Sequence, residues 1–122
     1  MSSTTPSIAL IKIPVTEFLR AATWYREVLG LPEQFAVEEY GWAQYDTGGV
    51  PLCLYQVGKG GGDGTPGGDT GIHLAVDDAR ACHETLAGHG ADLPGDLEAG
   101  DDGSVFFVVR DPDGNLIKVM QR

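Results

Sequence analysis

The spacing of apolar positions along the chain changes several times, and each change marks an element. Residues 7–15, SIALIKIPV, are β-branched and apolar enough for a strand. From Thr16 the period lengthens: Phe18, Ala21, Tyr25 and Val28 recur at helical spacing and give one apolar face. Thr16 is placed to offer its hydroxyl to the first free N–H groups of that helix. Gly30 and Pro32 end it, since glycine accepts a left-handed cap and proline cannot continue the helix. Three short strands are expected near 34–39, 41–46 and 51–56.

The order then repeats. GIHLAV, 71–76, reads as a strand, and Asp77 or Asp78 caps a helix with Ala79, Cys82 and Leu86 on one face. Gly88 and Gly90 stop it, and strands are expected near 91–97, 104–110 and 115–121. The correspondence is residue by residue: Val15 with Val76, Phe18 with Ala79, Ala21 with Cys82, Tyr25 with Leu86. The closing hairpins also match. In DTGGVPLCLYQ (46–56) and DPDGNLIKVMQ (111–121), Asp46 meets Asp111, Gly49 meets Gly114 and Gln56 meets Gln121. Internal similarity of this kind divides the chain into two βαβββ modules, about 7–56 and 71–122, in one α+β domain. The Gly-rich stretch 57–70 joins them and is expected to be a flexible linker. Its GKGGGDG lacks the Lys-Ser/Thr ending of a phosphate loop and opens no helix. A loose link of this kind also permits two chains to exchange halves in a dimer.

Charge and composition narrow the function classes. Eight Lys plus Arg stand against eighteen Asp plus Glu, a formal net charge of −10. Nucleic acid and anionic membrane surfaces both require clustered basic residues, and no cluster occurs. No apolar run approaches the ~20 residues that span a bilayer. The opening MSSTTPS has neither the basic nor the apolar region of a secretory leader, so a cytoplasmic location is expected. Cys53 and Cys82 have no paired spacing and are expected as buried thiols.

Alternation along the strands sorts side chains by face. Reading 111–114 as a four-residue turn sets Val109 opposite Leu116, Phe107 opposite Lys118 and Val105 opposite Met120, all on one face. Phe106, Val108, Ile117 and Val119 would lie beneath the helices. In the matching hairpin, Tyr40, Trp42, Gln44, Pro51, Cys53 and Tyr55 share the Lys118-type face, and Ala43, Tyr45, Leu52 and Leu54 pack below. This face mixes aromatic rings, a thiol, an amide and an ammonium. A lined pocket accounts for Gln44 and Lys118 better than a core does, because burying them unpaired is costly. Lys12 in the first strand and His73 in the fifth would join the same face and gather with Lys118. Several residues have plainer roles. Trp24 and Tyr25 are expected in packing, and His83 and His89 in solvent. Asp111 and Asp113 belong to a turn, and Arg110 pairs with an acid.

Two βαβββ units, ATWYREVLGLP after the first strand, IHLAVDD opening the second unit and DPDGNLIKV near the end resemble the vicinal oxygen chelate superfamily. This is the glyoxalase, bleomycin-resistance and extradiol-dioxygenase group. The resemblance covers nearly the whole chain. It implies a cup-shaped half-barrel cleft formed by two modules and, in many members, a homodimer with sites at or near the subunit contact. It also implies metal ligands, usually His and Glu, on the first and last strand of each unit. The matching positions here are Leu10, Cys53, Gly71 and Lys118. Leucine and glycine offer no side-chain donor, a charged lysine has no free lone pair, and one cysteine does not make a site. No metal and no cofactor are therefore expected.

The expected function is metal-independent binding of a small molecule, sequestering an aromatic natural product or antibiotic. The expected ligand contacts are Lys12, Tyr40, Trp42, Gln44, Cys53, Tyr55, His73, Phe107, Val109, Lys118 and Met120. The alternative is a metal-independent isomerase, lyase or cyclase, with His73 as base and Lys12 or Lys118 stabilising developing negative charge.

Overall fold

The computed structural model describes residues 4–122. The first three residues of the amino-terminal stretch read above for leader features lie outside the described part. Eight strands and two principal helices follow in the expected order: β1 (Ile11–Val15), α1 (Phe18–Thr23), β2 (Glu33–Val37), β3 (Trp42–Tyr45), β4 (Leu52–Gln56), β5 (Gly68–Val76), α2 (Ala79–Gly88), β6 (Glu98–Ala99), β7 (Val105–Arg110) and β8 (Asn115–Gln121). They form two four-stranded sheets, ordered β1-β4-β3-β2 and β5-β8-β7-β6. In each sheet the first strand lies parallel to the last, and the other neighbours are antiparallel. The two modules thus share one topology, as their sequence correspondence requires. No helix among the described residues is long and apolar enough to cross a membrane.

The apolar faces named from helical and strand periods meet in one core. Ile13, Val15, Phe18, Ala21, Tyr25, Leu52 and Leu54 of the first module join Ala79, Leu86, Ile117 and Val119 of the second. Fully burying one such aliphatic side chain contributes about 1.5–3 kcal/mol, so this shared core is what makes two modules one domain.

Local structure departs from expectation at four places. Thr16 does not cap its own helix. Its N–H and hydroxyl both turn to the Asp113 carboxylate of the other module, and α1 starts without a side-chain cap. After Thr23 the helix widens into a π-helical turn over Trp24–Val28. Of the two aspartates expected as caps of α2, Asp78 serves, accepting from the Ala81 N–H at 3.0 Å, so this expectation holds. The expected strand at 91–97 shrinks to β6 and an isolated bridge between Asp92 and Arg110. Pro94 and Gly95 explain this, since proline lacks the ladder donor and glycine leaves the extended region easily.

The fourth departure moves side chains. Asp111 carries the β7–β8 pairing one residue beyond β7, which leaves a turn of three residues, 112–114, with Gly114 at φ +85°. Asp111 and Asn115 face each other across it, with the Asp111 N–H donating to the Asn115 carbonyl. Three-residue hairpins take this form, with glycine in the left-handed position. One residue fewer in the turn shifts the register, so Arg110 pairs with Leu116, Val108 with Lys118 and Phe106 with Met120. Phe107 and Val109 consequently point into the core and are buried, which corrects the expectation that they line the outer face. Phe106 and Val108 take their places.

A polar node ties the modules together. Asp111, only 3% exposed, accepts from the Asp113 and Asn115 N–H groups at 2.8 and 2.9 Å. It also accepts from the Tyr25 hydroxyl at 2.6 Å and from the Asn115 amide at 2.9 Å. The same amide donates to the Pro14 carbonyl at 2.9 Å. Arg110 pairs with Asp92 at 2.8 Å, as expected.

Burial, and then the neighbouring Asp111 carboxylate, push the Tyr25 phenol well above its ordinary value. Burial and then Glu33 raise Tyr45 as well. Both stay neutral in the fold at a pH where an unfolded chain ionises them, about 10. Their contribution to stability is complete below that pH and is lost as pH rises through the higher folded values. A urea midpoint measured between about pH 8 and about pH 11 is therefore expected to fall steeply only at the upper end, with phenolate absorbance rising together with unfolding. A level midpoint across that span would refute the assignment.

Candidate ligand site

The outer face of the first sheet, opposite the core, is set by strand alternation. Lys12 pairs with Cys53 across β1 and β4, Gln44 with Cys53, and Trp42 with Tyr55 across β3 and β4. Lys12, Trp42, Gln44, Cys53 and Tyr55 therefore share one face, as their spacing requires. Tyr40 lies outside the strand, on a 3-10 turn at Glu38–Tyr40, and is exposed. It still borders the same hollow. A cavity of about 390 Å³ is lined by Phe35, Val37, Tyr40, Trp42, Lys59 and the glycines at 60 and 61. Three aromatic rings and one ammonium make it suited to a planar apolar ligand with an acidic group.

Cys53 lies beneath this surface. It is fully buried, its Sγ stands 3.5 Å from the Gln44 side-chain oxygen, and burial pushes its thiol up. A raised thiol is a poor nucleophile at neutral pH, so Cys53 fills space. Gln44 in turn donates to Gln34 at 2.9 Å.

Residues 57–67 do not trail loosely between the modules. The Lys12 ammonium donates to the Gly61 carbonyl and sits 4.9 Å from the centroid of the Tyr55 ring. The Gly64 N–H donates to the Tyr55 hydroxyl at 3.1 Å. Tyr55 is covered as a result, with 6% of its surface exposed, and its ring is not free for stacking in this arrangement.

The second sheet presents its own outer face. His73 and Val108 flank Lys118 from the two sides, by register. These three, with Asp69 and Leu116, surround a cavity of about 150 Å³. The Lys118 ammonium lies 4.5 Å from the Phe106 ring centroid, and Met120 is partly exposed at the strand's end. Lys12 does not belong to this cluster: it faces the glycine stretch on the first sheet. The three groups expected to gather thus divide, with His73 and Lys118 together and Lys12 apart.

His83 also differs from expectation. Its ring packs edge-on against Phe107 at 5.0 Å between centroids, instead of standing in solvent. Sequence reasoning missed Phe35, Lys59, Phe106 and Val108. Phe35 and Val37 alternate correctly along β2, so their pairing on a face was legible. Lys59 was hidden by lying in a stretch read as a linker.

The positions matching the family's metal ligands do not assemble a donor set. Cys53 has Lys12 and Gln44 beside it, and Lys118 has His73 and Val108. Among the described residues no three His, Cys, Asp or Glu side chains come together in a way that could hold an ion. The residues present do not fit a metal of the family type.

Comparison with known proteins agrees with this fold. Residues 7–119 match the model of the Glyoxalase/Bleomycin resistance protein/Dioxygenase superfamily. No curated protein matches the chain significantly. Among solved structures, a member of that superfamily from Sphaerobacter thermophilus superposes with a TM-score of 0.83 at 22% identity, over 97% of this chain and 98% of that one. TioX from Micromonospora sp. ML1 superposes at 0.76 with 23% identity, over 95% and 98%. Lactoylglutathione lyase from Agrobacterium tumefaciens also gives 0.76, with 17% identity over 96% of each chain. At these identities the likeness is one of fold.

Proposed function

The chain belongs to the Glyoxalase/Bleomycin resistance protein/Dioxygenase superfamily, and within it we propose a metal-independent binding protein for an aromatic small molecule, a natural product or antibiotic. The observation that carries this reading is the cavity of about 390 Å³ walled by Phe35, Tyr40 and Trp42 with Lys59 at its edge. Rings supply stacking area, and an ammonium against a chain of net charge −10 selects an acidic group on the ligand. The reading includes a cytoplasmic location and a homodimer. Exposed Ile8, Leu10 and Met120 supply apolar surface for a second chain.

The test isolates one ring. In a Trp24→Phe background, Trp42 is the single indole, and its fluorescence reports binding directly. Aromatic acids that raise the melting temperature are expected to quench it, and Trp42→Ala is expected to weaken their binding about tenfold to a hundredfold. A broad aromatic library that neither shifts melting nor quenches Trp42 would end the proposal.

A second reading rests on the His73–Lys118 pair at the smaller cavity. There an imidazole beside an ammonium could move a proton while the cation holds an oxyanion, as an isomerase, lyase or cyclase requires. His73→Ala separates the two: lost turnover with retained binding favours the enzyme, and unchanged behaviour removes it.

A further inference from the structure

The glycine stretch between the modules makes contacts that a linker does not need. We propose that residues 57–64 form a self-bound strap over Tyr55 and Lys12, and that a ligand reaching from the Trp42 cavity displaces it. This rests on the reading of that cavity as an aromatic-ligand site.

The strap lies flat because it has no side chains where it crosses the face. A Cβ at Gly61 would stand 2.8 Å from the Tyr55 Cβ and 3.3 Å from the Trp42 ring. One at Gly62 would stand 2.8 Å from the Tyr55 ring, and one at Gly64 would overlap the Tyr55 hydroxyl. Glycine here permits close approach of backbone to aromatic surface. Gly61 and Gly64 have no left-handed backbone angle, so alanine at either is opposed only by the face beneath.

What holds the strap is polar and modest. The Lys12 ammonium takes the Gly61 carbonyl, the Tyr55 hydroxyl takes the Gly64 N–H, and Lys59 donates to the Glu38 carbonyl at 3.4 Å. Lys12 and Tyr55 thus engage the strap with groups that a ligand could use. A planar molecule with an oxygen acceptor offers Lys12 the same partner as a carbonyl and offers Tyr55 a ring. Glycine-rich chain also loses the most conformational freedom on being ordered, so its release is favoured by entropy. Strap residues Gly60 and Gly61 already wall the Trp42 cavity. Lifting residues 60–64, with Lys59 kept at the cavity edge by its bond to the Glu38 carbonyl, would extend that cavity to Tyr55 and free Lys12 in one motion. A site closed in its resting state binds more weakly by the fraction of time it is open.

The double variant Gly61→Ala/Gly64→Ala tests this, with Gly49→Ala, where nothing lies near the added carbon, as control. Tyr55→Phe removes the Gly64 acceptor without adding bulk. Hydrogen–deuterium exchange at 57–64 reads the strap with no ligand present. An anilinonaphthalene sulfonate dye, aromatic and anionic, reads the face. The double variant is expected to exchange about tenfold faster at 57–64 and to bind the dye about tenfold more tightly, with Tyr55→Phe moving exchange the same way. Adding Lys12→Met to the double variant should lower dye affinity again. Unchanged exchange overturns the strap. Faster exchange with weaker dye binding also overturns it, by making the stretch a wall of the site. Faster exchange with dye bound by no variant upholds the detachable strap and overturns the aromatic-acid reading of the face.

Discussion

Asp111→Ala is expected to destabilise the fold by about 3–5 kcal/mol, measured by urea denaturation at neutral pH. The carboxylate is nearly fully buried and takes four hydrogen bonds, from the Asp113 and Asn115 N–H groups, the Tyr25 hydroxyl and the Asn115 amide. Its removal leaves those donors in a place water barely reaches, and each unsatisfied group is costly. Two of them are more than local. Tyr25 belongs to the first module, and Asn115 also donates to the Pro14 carbonyl there. The variant therefore loosens the contact between modules as well as the turn. Asp111→Asn retains one acceptor oxygen and should lose less, about 1–3 kcal/mol. A loss below about 1 kcal/mol for alanine would mean that the node is solvated and that the shared apolar core alone joins the modules.

The other large effect distinguishes neighbours on one strand. Val109→Asp should cost more than about 4 kcal/mol and Val108→Asp less than about 1 kcal/mol, by the same measurement. Val109 has no exposed surface and pairs with the buried Ile117. A carboxylate there has no partner and must either stay charged in an apolar core or take up a proton. Val108 lies on the opposite face, directly across from Lys118. A carboxylate there meets an ammonium with water at hand. Equal losses, or the reverse order, would restore the register with a four-residue turn and move Phe107 and Val109 back to the outer face.

That strand shows where sequence reasoning reaches and where it stops. The turn is recognisable in DPDG, but whether it holds three or four residues depends on how Asp111 is bonded. One residue reverses every side chain on β7, so Phe107 and Val109 were misplaced while Leu116, Lys118 and Met120 on β8 were placed correctly. The matching hairpin of the first module had no such shift, and its faces came out as the alternation of Trp42, Gln44, Cys53 and Tyr55 implies. Thr16 was misread for a similar reason. A hydroxyl before a helix usually serves that helix, but here a carboxylate ninety-seven residues away competes for it.

The two-module βαβββ order, the helix faces and the family were legible in the sequence. These follow from period, repetition and residue chemistry, which are local properties. The folded chain was needed to show that Lys12 lies against the glycine stretch and apart from His73 and Lys118, that Tyr55 is covered, and that Lys59 borders the Trp42 cavity. Each of these depends on where a segment without apolar period comes to rest. Glycine carries no pattern that could announce the surface it will lie on.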